Sequence, residues 1–328
     1  MPTLTVVVPT YRRLGYLTEA LASVRAQTLT DIEVLVCDNA ADPATRRLVT
    51  ELGDPRVVYV PRPRDLGLAR NALLGLASAA SPLVTKLDDD DAMEPRTLAL
   101  LAAAFARHPR IDVAFGRLRL VDHDGNDLAA RTSALDRHSG RALMPEGLVH
   151  GLDAVIGSGA MNLACAVFRR EILDDPVPDA VSTAYDLHLL LRLAARGAPG
   201  WYAPGAVTRY RLHPDSDTNT GAVRQGLGAL AAYDLAEREA RHDLRRRPDL
   251  LATARTHVAV RTARGLIRAG ETGRARQVLL QDLRHHPTAA AARLTLGTFA
   301  PSSLAARVSR ARGAAWERRE AAHDLTDA

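Results

Sequence analysis

The sequence predicts an α/β protein with a parallel, doubly wound sheet flanked by helices, followed by an all-helical C-terminal region. Up to about residue 110, short apolar runs rich in Val, Ile and Leu alternate with segments whose apolar residues recur at helical spacing. Short connections between such segments are typical of a parallel sheet. From about residue 221 the chain is rich in Ala, Arg and Leu, and Pro248, Gly270, Pro287 and Pro301 divide it into helices.

Four buried strands are predicted in the first part. They occupy residues 4–8, 32–37 and 57–60 and the run that begins at Leu83. The helices between them are predicted from apolar spacing and from local signals. Asp42 and Pro43 form an N-cap and first-turn pair, and Pro95 begins the helix after the fourth strand.

The pattern changes after residue 110. Residues 113–121 alternate as an antiparallel strand does, and Asp124-Gly125 is a turn signal. Residues 129–159 are irregular and contain several glycines, which predicts a loop that serves as a lid or contacts an acceptor. A strand over 162–168, a helix over 185–196 and a strand over 207–212 follow.

Four consecutive aspartates, residues 88–91, follow the fourth strand directly. Their charges repel one another, and a hard divalent cation such as Mg²⁺ or Mn²⁺ would supply the missing positive charge. In open α/β sheets, ligands bind outside the carboxyl ends of the strands. Thr10, Tyr11 and Asp38 fall at the same edge. The sequence therefore predicts a metal–diphosphate site there; the alternative is a solvated acidic loop that caps the next helix.

Composition excludes several classes of function. Aromatic residues make up 4% of the chain, which disfavours a base-stacking nucleic-acid platform, so we expect no nucleic-acid partner. Neither a Gly-rich dinucleotide fingerprint nor a phosphate-loop Gly-Lys-Ser/Thr motif is present. Cys37 and Cys165 lie in apolar runs and are expected to be small core residues.

The charge and hydropathy patterns bear on location. No stretch approaches the roughly 20 apolar residues of a membrane-spanning helix, and Met1 leads into a strand rather than a signal segment. The sequence thus predicts a cytoplasmic protein. The net charge of +5 comes mostly from arginine, since Lys86 is the single lysine. The arginine clusters at 245–247 and 307–319 read as solvated faces, with peripheral membrane contact as the alternative.

Over residues 3–216 the chain resembles the family 2 glycosyltransferases, which have the GT-A fold with a Rossmann-like mixed or parallel sheet. The motifs that carry the resemblance are Val-Val-Val-Pro-Thr-Tyr-Arg at 6–12, Val-Leu-Val-Cys-Asp-Asn at 34–39, Gly-Leu-Ala-Arg-Asn at 67–71, Leu-Asp-Asp-Asp-Asp at 87–91, Tyr-Asp-Leu-His-Leu-Leu-Leu-Arg-Leu at 185–193 and Tyr-Arg-Leu-His-Pro-Asp-Ser at 210–216. It implies a catalytic domain over 1–216, with a nucleotide-binding half (1–110) and an acceptor-binding half (111–216). The helical region 217–328 lies outside it.

The resemblance also implies roles for individual residues. Asp186 would be the catalytic base, and Asp90 and His213 would contact Mn²⁺ or Mg²⁺. The residues assigned to the nucleotide and its diphosphate are Pro9, Thr10, Tyr11, Arg12, Asp38, Arg70, Asp88 and Asp89. Asp38 would accept a hydrogen bond from the base, expected to be uracil.

One base and one metal, with no enzyme nucleophile, predict an inverting transfer from a nucleoside-diphosphate sugar. The acceptor would be a hydroxyl or thiol of a saccharide, peptide or secondary metabolite. The sequence departs from the family pattern at Cys37, where an aspartate is usual, and at Tyr185-Asp186, which offers one carboxylate instead of two. Asp186 as a plain helix cap, and His213 as a structural residue, remain alternatives. So does a catalytically inactive nucleotide-sugar-binding or helical interaction protein.

Overall fold

The computed structural model describes residues 2–174, 177–197, 199–213, 222–239, 248–285, 292, 294 and 295. The arginine clusters at 245–247 and 307–319, and the predicted helix boundaries at Pro287 and Pro301, lie outside these residues.

The first part of the chain forms the predicted βαβ units. Its elements are β1 (Leu4–Thr10), α1 (Leu14–Arg25), β2 (Ile32–Asp38), α2 (Pro43–Leu52), β3 (Val57–Pro61), α3 (Leu68–Ala77) and β4 (Leu83–Lys86). These four strands are parallel in the order β3-β2-β1-β4, with Thr10 opposite Asp38 and Asp38 opposite Pro61. Their carboxyl ends therefore lie along one edge of the sheet.

The second part extends the same sheet with mixed directions. It contains β5 (Ala92–Met93), α4 (Thr97–Arg107), β6 (Val113–Val121), α5 (Ala129–Ser139), β7 (Gly147–Val149), α6 (Leu152–Gly157), β8 (Ala166–Arg169), α7 (Tyr185–Ala195) and β9 (Gly200–Arg211). Strand β8 is antiparallel to both β4 and β6, and β9 is parallel to β6. The sheet order is β3-β2-β1-β4-β8-β6-β9-β5, with β7 on β9. The sheet as a whole is thus mixed, which confirms the predicted GT-A type of mixed or parallel sheet, while the doubly wound parallel pattern holds for β1–β4.

The segment predicted as an irregular loop, residues 129–159, is structured instead. It forms α5, a 3₁₀ turn (Arg141–Leu143), β7 and α6. The prediction failed because the buried residues of α5 are polar, Asp136 and Ser139, so no apolar period marks the helix. Asp136 accepts hydrogen bonds from Arg117 Nη2 at 2.5 Å and from the buried Arg141 Nε at 2.9 Å. The pair with Arg117 fastens the segment to β6, and the pair with Arg141 joins α5 to the 3₁₀ turn that follows it.

The strand predicted over 162–168 is also shorter than expected. It begins at Ala166, after a 3₁₀ turn over Leu163–Cys165. The helix predicted over 185–196 is confirmed as α7, and the last predicted strand is the end of the longer β9. Cys37 and Cys165 are buried free thiols, as expected.

Three helices of the C-terminal region are described: α8 (Ala222–Glu239), α9 (Pro248–Arg268) and α10 (Thr272–His285). Helix α9 begins at the predicted Pro248. It ends before Gly270, whose φ of +82° lets the next amide, Glu271 N, bond back to Leu266 O at 2.8 Å. Ala232 and Tyr233 of α8 belong to the same apolar core as α7, so the helical region packs on the sheet domain.

His188 of α7 is 2% exposed, and in the described part of the chain neither ring nitrogen has a hydrogen-bond partner. Burial, followed by the charge of Arg192, lowers the pKa of His188 to about 4. In the unfolded chain the same histidine is protonated near pH 6.5. Between pH 6.5 and about 4 the unfolded state therefore binds a proton that the folded state does not, so the unfolding free energy is fully retained above pH 6.5 and falls as the pH falls towards 4.

We expect acidification from pH 7 to 4.5 to cost about 2 kcal/mol of unfolding free energy through His188. Replacing His188 with Leu should remove this part of the loss, as measured by urea unfolding at both pH values. His150→Leu, at an exposed histidine, is the matched control. An equal loss in wild type and His188→Leu would contradict the assignment.

Candidate active site

A cleft of about 540 Å³ opens at the carboxyl edge of the parallel strands. Strands β1 and β4 form one wall, and the N-terminal turn of α7 forms another. Gln225 and Ala229 of α8 and Val258 and Arg261 of α9 complete the lining. The predicted site residues that line this cleft are Pro9, Thr10, Tyr11, Asp88, Asp89, Asp90 and Asp186.

The aspartates after β4 are held by several partners, and Arg13 Nη1 contacts two of them, Asp89 at 3.4 Å and Asp90 at 2.8 Å. Asp88 receives both of its hydrogen bonds from Lys86 Nζ, at 2.6 Å to each oxygen. Asp89 accepts from Thr10 Oγ1 at 2.7 Å, and Asp91 accepts from the backbone amide of Arg211 at 2.9 Å. Asp90 Oδ2 lies 2.8 Å from Arg13 Nη1 and 2.9 Å from His213 Nε2. The predicted ligands Asp90 and His213 are thus in direct contact.

The four aspartates after β4 carry more negative charge than the neighbouring cationic side chains neutralise. Burial, and then the charge of Asp90, raise the pKa of Asp89 to about 6. Burial and the neighbouring carboxylates raise the pKa of Asp91 well above its usual value, and its Oδ2 atom is buried without a partner in the described part of the chain.

The donor set fits a hard divalent cation. The carboxylate oxygens suit Mg²⁺ or Mn²⁺, whereas the imidazole nitrogen of His213 is a ligand more typical of transition metals. Asp90 Oδ2 and His213 Nε2 are 2.9 Å apart, the length of a direct hydrogen bond, which is compatible with the spacing of about 3 Å between adjacent ligands of an octahedral ion. The uncompensated buried charge at Asp89 and Asp91 favours a cation nearby.

Asp186 lies in the first turn of α7 and is exposed to the cleft. It is not the helix cap, since Ala184 occupies the N-cap position and Asp186 is the second helical residue. Among the residues described, its carboxylate has neither a hydrogen bond nor an ion pair. The alternative interpretation of Asp186 as an N-cap is therefore excluded by the geometry, and the carboxylate is available to a ligand.

Lys86 lines the cleft near the carboxylates of Asp88 and Asp186. Its Nζ atom lies 5.7 Å from the ring centroid of Tyr185. Burial alone would lower the pKa of Lys86, but the charge and hydrogen bonds of Asp88 together with the charges of Tyr185 and Asp186 outweigh it, so the pKa rises well above its usual value. Burial raises the pKa of Tyr185 to about 12. Lys86 is therefore a fixed cation and Tyr185 a neutral phenol.

Four predicted residues do not line the cleft: Arg12, Asp38, Arg70 and His213. Asp38 is fully buried, and its carboxylate accepts hydrogen bonds from the amides of Ala40 and Asp42 and from Tyr59 Oη. The next residue, Asn39, lines the cleft instead and donates to Asp65 Oδ1 at 2.6 Å. Arg12 and Arg70 are exposed.

Sequence reasoning missed several residues of the cleft, notably Arg13, Asn39, Asp65, Asn71, Lys86, Tyr185, Arg211, Gln225 and Arg261. A signal existed for Lys86. It is the single lysine and precedes Asp88 by two residues, a spacing that places both side chains on one face of a strand. Arg13 is one of many arginines, and no local pattern distinguishes it.

A second group of ligand-type side chains, Asp122, His123 and Asp124, lies at the turn after β6. It is mostly exposed, and Asp122 accepts hydrogen bonds from the amides of Asp124 and Asn126, so these residues shape the turn.

Among the described helices, none is both long enough and apolar enough to cross a bilayer.

Comparisons with known proteins agree on one family. The family profile described as "Glycosyl transferase family 2" matches residues 5–175. The GalNAc(5)-diNAcBac-PP-undecaprenol β-1,3-glucosyltransferase of Campylobacter jejuni is 35% identical over 249 residues, which are 74% of this chain and 76% of that protein. The chondroitin synthase of Escherichia coli is 27% identical over 129 residues, but these cover only 18% of its length.

Solved structures share the fold. Staphylococcus aureus TarS 1–349 in complex with UDP-GlcNAc superposes with a TM-score of 0.71 at 17% identity, covering 94% of this chain and 90% of that one. The mannosyltransferase PcManGT from Pyrobaculum calidifontis, in complex with GDP-Man and Mn²⁺, gives a TM-score of 0.59 at 19% identity over 94% and 84% of the two chains. With the profile spanning half of its length and the mixed sheet in place, the chain belongs to the family 2 glycosyltransferases and has the GT-A fold.

Proposed function

We propose that this glycosyltransferase is inverting and metal-dependent, and that it moves a sugar from a UDP-sugar to a hydroxyl of a discrete acceptor. The observation that carries the proposal is the shared cleft. Asp88–Asp90 stand at the strand edge, and the unpaired carboxylate of Asp186 faces the same space. A donor diphosphate and an acceptor base would thus meet in one site.

Uracil is the proposed base because TarS, which superposes with the higher TM-score of the two structures, contains UDP-GlcNAc. PcManGT, with the lower TM-score, contains GDP-Man, so guanine is the second choice. We propose that Pro9, Thr10, Tyr11 and the newly located Asn39 bind the nucleoside. Direct contact between Asp38 and the base would require the residues that cover Asp38 to move, because its side chain is fully buried. Its proposed role is therefore to hold the loop that carries Asn39.

The proposed diphosphate site lies beside the aspartates after β4. Asp88 and Asp89 are assigned to the nucleotide, where their carboxylates can accept hydrogen bonds from ribose hydroxyls. Arg12 and Arg70, proposed for the nucleotide, are exposed and lie outside the lining of the cleft. Asp90 and His213 would hold Mn²⁺ or Mg²⁺, which neutralises charge on the departing diphosphate. PcManGT contains Mn²⁺, which supports this choice of metal.

The proposed reaction is a single displacement. Asp186 accepts the proton of the acceptor hydroxyl while that oxygen bonds to the anomeric carbon. The bond from that carbon to the diphosphate oxygen breaks, its electron pair leaves with the nucleoside diphosphate, and the configuration inverts. Lys86 Nζ donates to both oxygens of Asp88 and so fixes the orientation of that carboxylate.

The proposed acceptor is a saccharide, because the C. jejuni relative is named for an oligosaccharide linked through PP to undecaprenol. A peptide, a secondary metabolite or a thiol acceptor is less well supported. We retain the proposed domains, 1–216 catalytic and 217–328 helical, and the predicted cytoplasmic location. Because Gln225 and Arg261 line the cleft, the helical region would contribute to acceptor binding.

Calorimetric titration with UDP tests the donor site. We expect binding with Mn²⁺ present and much weaker binding in EDTA. Asp90→Ala should weaken the metal-dependent binding by about 10- to 100-fold or more, since even indirect changes at metal sites have effects of that size.

Asp127→Ala, at an exposed aspartate in the turn after β6, is the matched control and should bind as wild type does. Metal-independent binding of equal strength would contradict the metal assignment. If UDP does not bind in either condition, GDP and dTDP are the next titrants, and failure of all three would contradict the donor proposal.

A further inference from the structure

Helix α9 carries a row of basic side chains on one face: His257, Arg261, Arg264 and Arg268, hereafter the basic stripe. The spacings of four, three and four residues place them on a single side of a helix. All four side chains are exposed. The opposite side of α9 is buried and contains Ala259, Ala263 and Leu266.

The charge of the basic stripe is not neutralised within the described part of the chain. No acidic side chain there forms an ion pair with its arginines, whereas the nearby Arg274 pairs with Glu271 and Arg255 with Asp234 and Asp282. The helix dipole favours a cation in the last turn and accounts for Arg268. It does not account for Arg261 and Arg264, which lie further from the C-terminus.

The position of the basic stripe connects it to the active site. Val258 and Arg261 line the cleft, on the wall formed by the helical region. From there the stripe runs away from the cleft along the exposed side of α9. Arg264 and Arg268 are exposed and lie outside the lining of the cleft, so the stripe is suited to an extended anionic surface rather than to a small anion held in the cleft.

We propose that the basic stripe docks on the anionic headgroups of a lipid bilayer, which brings the wall of the cleft formed by α8 and α9 to the membrane surface. Among the described side chains of α9, no large apolar one is exposed, so the contact is electrostatic and reversible rather than inserted. Each basic residue near an anionic surface strengthens binding about fivefold. The proposal goes beyond the proposed reaction and does not depend on which sugar is transferred.

Vesicle co-sedimentation of the full chain tests the proposal. The two vesicle types are phosphatidylcholine alone and a two-to-one mixture of phosphatidylcholine and phosphatidylglycerol. We expect binding to the anionic vesicles only, and weaker binding as salt screens the charges. The double variant Arg264→Gln/Arg268→Gln should bind about 25-fold more weakly.

The matched control is Arg47→Gln/Arg110→Gln, which removes the same charge from exposed arginines on other elements. It should bind anionic vesicles nearly as wild type does. An equal loss in both double variants, equal binding of the stripe variant and wild type, or no vesicle binding by wild type would overturn the proposal. Binding to soluble polyphosphate without binding to vesicles would also overturn it, in favour of an anionic polymer.

The titration with UDP separates this result from the donor site. Arg264 and Arg268 lie outside the cleft, so the stripe variant should bind UDP with wild-type affinity. Loss of vesicle binding with intact UDP binding supports the docking surface. Loss of both would indicate a general defect and overturn the specific assignment.

Discussion

Asp186→Asn should reduce sugar transfer by about 10²- to 10⁴-fold, the range expected for loss of a general base. Asparagine keeps the shape of the side chain but cannot take the proton of an acceptor hydroxyl. Because Asp186 is exposed and has no partner among the described residues, the replacement should leave the fold intact. Release of UDP from a UDP-sugar, followed with and without acceptor, is the measurement.

Donor binding distinguishes Asp186 from the aspartates at the strand edge. Asp186→Asn should bind UDP as wild type does, whereas Asp90→Ala should not. Asp179→Asn changes a second exposed carboxylate in the turn that precedes α7 and should retain near-normal turnover. Near-normal turnover of Asp186→Asn would contradict the base assignment.

The wild-type protein itself distinguishes the enzyme from an inactive relative. A chain that bound UDP with Mn²⁺, yet neither transferred nor hydrolysed any donor, would be a nucleotide-sugar-binding protein. The single carboxylate at Tyr185-Asp186 makes this comparison informative, because the adjacent position holds a tyrosine instead of a second acid.

The βαβ units and the site edge were predictable because their signals are local. Apolar runs and helical spacing locate β1–β4, and parallel strands necessarily bring Thr10 and Asp88 to one edge. The direction of β8 was not predictable in this way. Its antiparallel pairing with β4 and β6 depends on contacts between distant segments rather than on the sequence within the strand.

In the cleft, too, features encoded by neighbouring residues were predictable, whereas contacts between residues far apart in the chain were not. The acidic cluster was visible as a run of charge, but its partner Arg13 lies 77 residues from Asp90 in the chain. The helical region was predicted as helices, yet Arg261 reaches the cleft only because α9 packs on α6 and α8, and α8 packs on α7. Likewise, α5 was missed because its buried positions hold a salt bridge instead of an apolar stripe.

The packing of the helical region depends on one buried arginine, Arg255 of α9. Its Nε and Nη2 atoms donate to Asp234 Oδ1 of α8 at 3.2 and 2.6 Å, and its Nη1 donates to Asp282 of α10. Arg255 is 2% exposed and Asp282 is fully buried. The guanidinium thus joins three helices and balances two carboxylates.

Arg255→Met should lower the unfolding free energy by about 3–5 kcal/mol, the usual cost of leaving a buried charge without its partner. Urea unfolding followed by circular dichroism is the measurement. Arg264→Met, at an exposed position of the same helix, should stay within about 0.5 kcal/mol of wild type.

A compensated variant tests whether the loss comes from the stranded carboxylates. Arg255→Met combined with Asp234→Asn and Asp282→Leu removes the buried charges together with their partner, so it should recover most of the stability. If the triple variant were no more stable than Arg255→Met, the loss would come from packing around the arginine stem. Residues of α8 and α9 also line the cleft. If UDP binding is lost in Arg255→Met and recovered in the triple variant, the same three-helix contact shapes the active site.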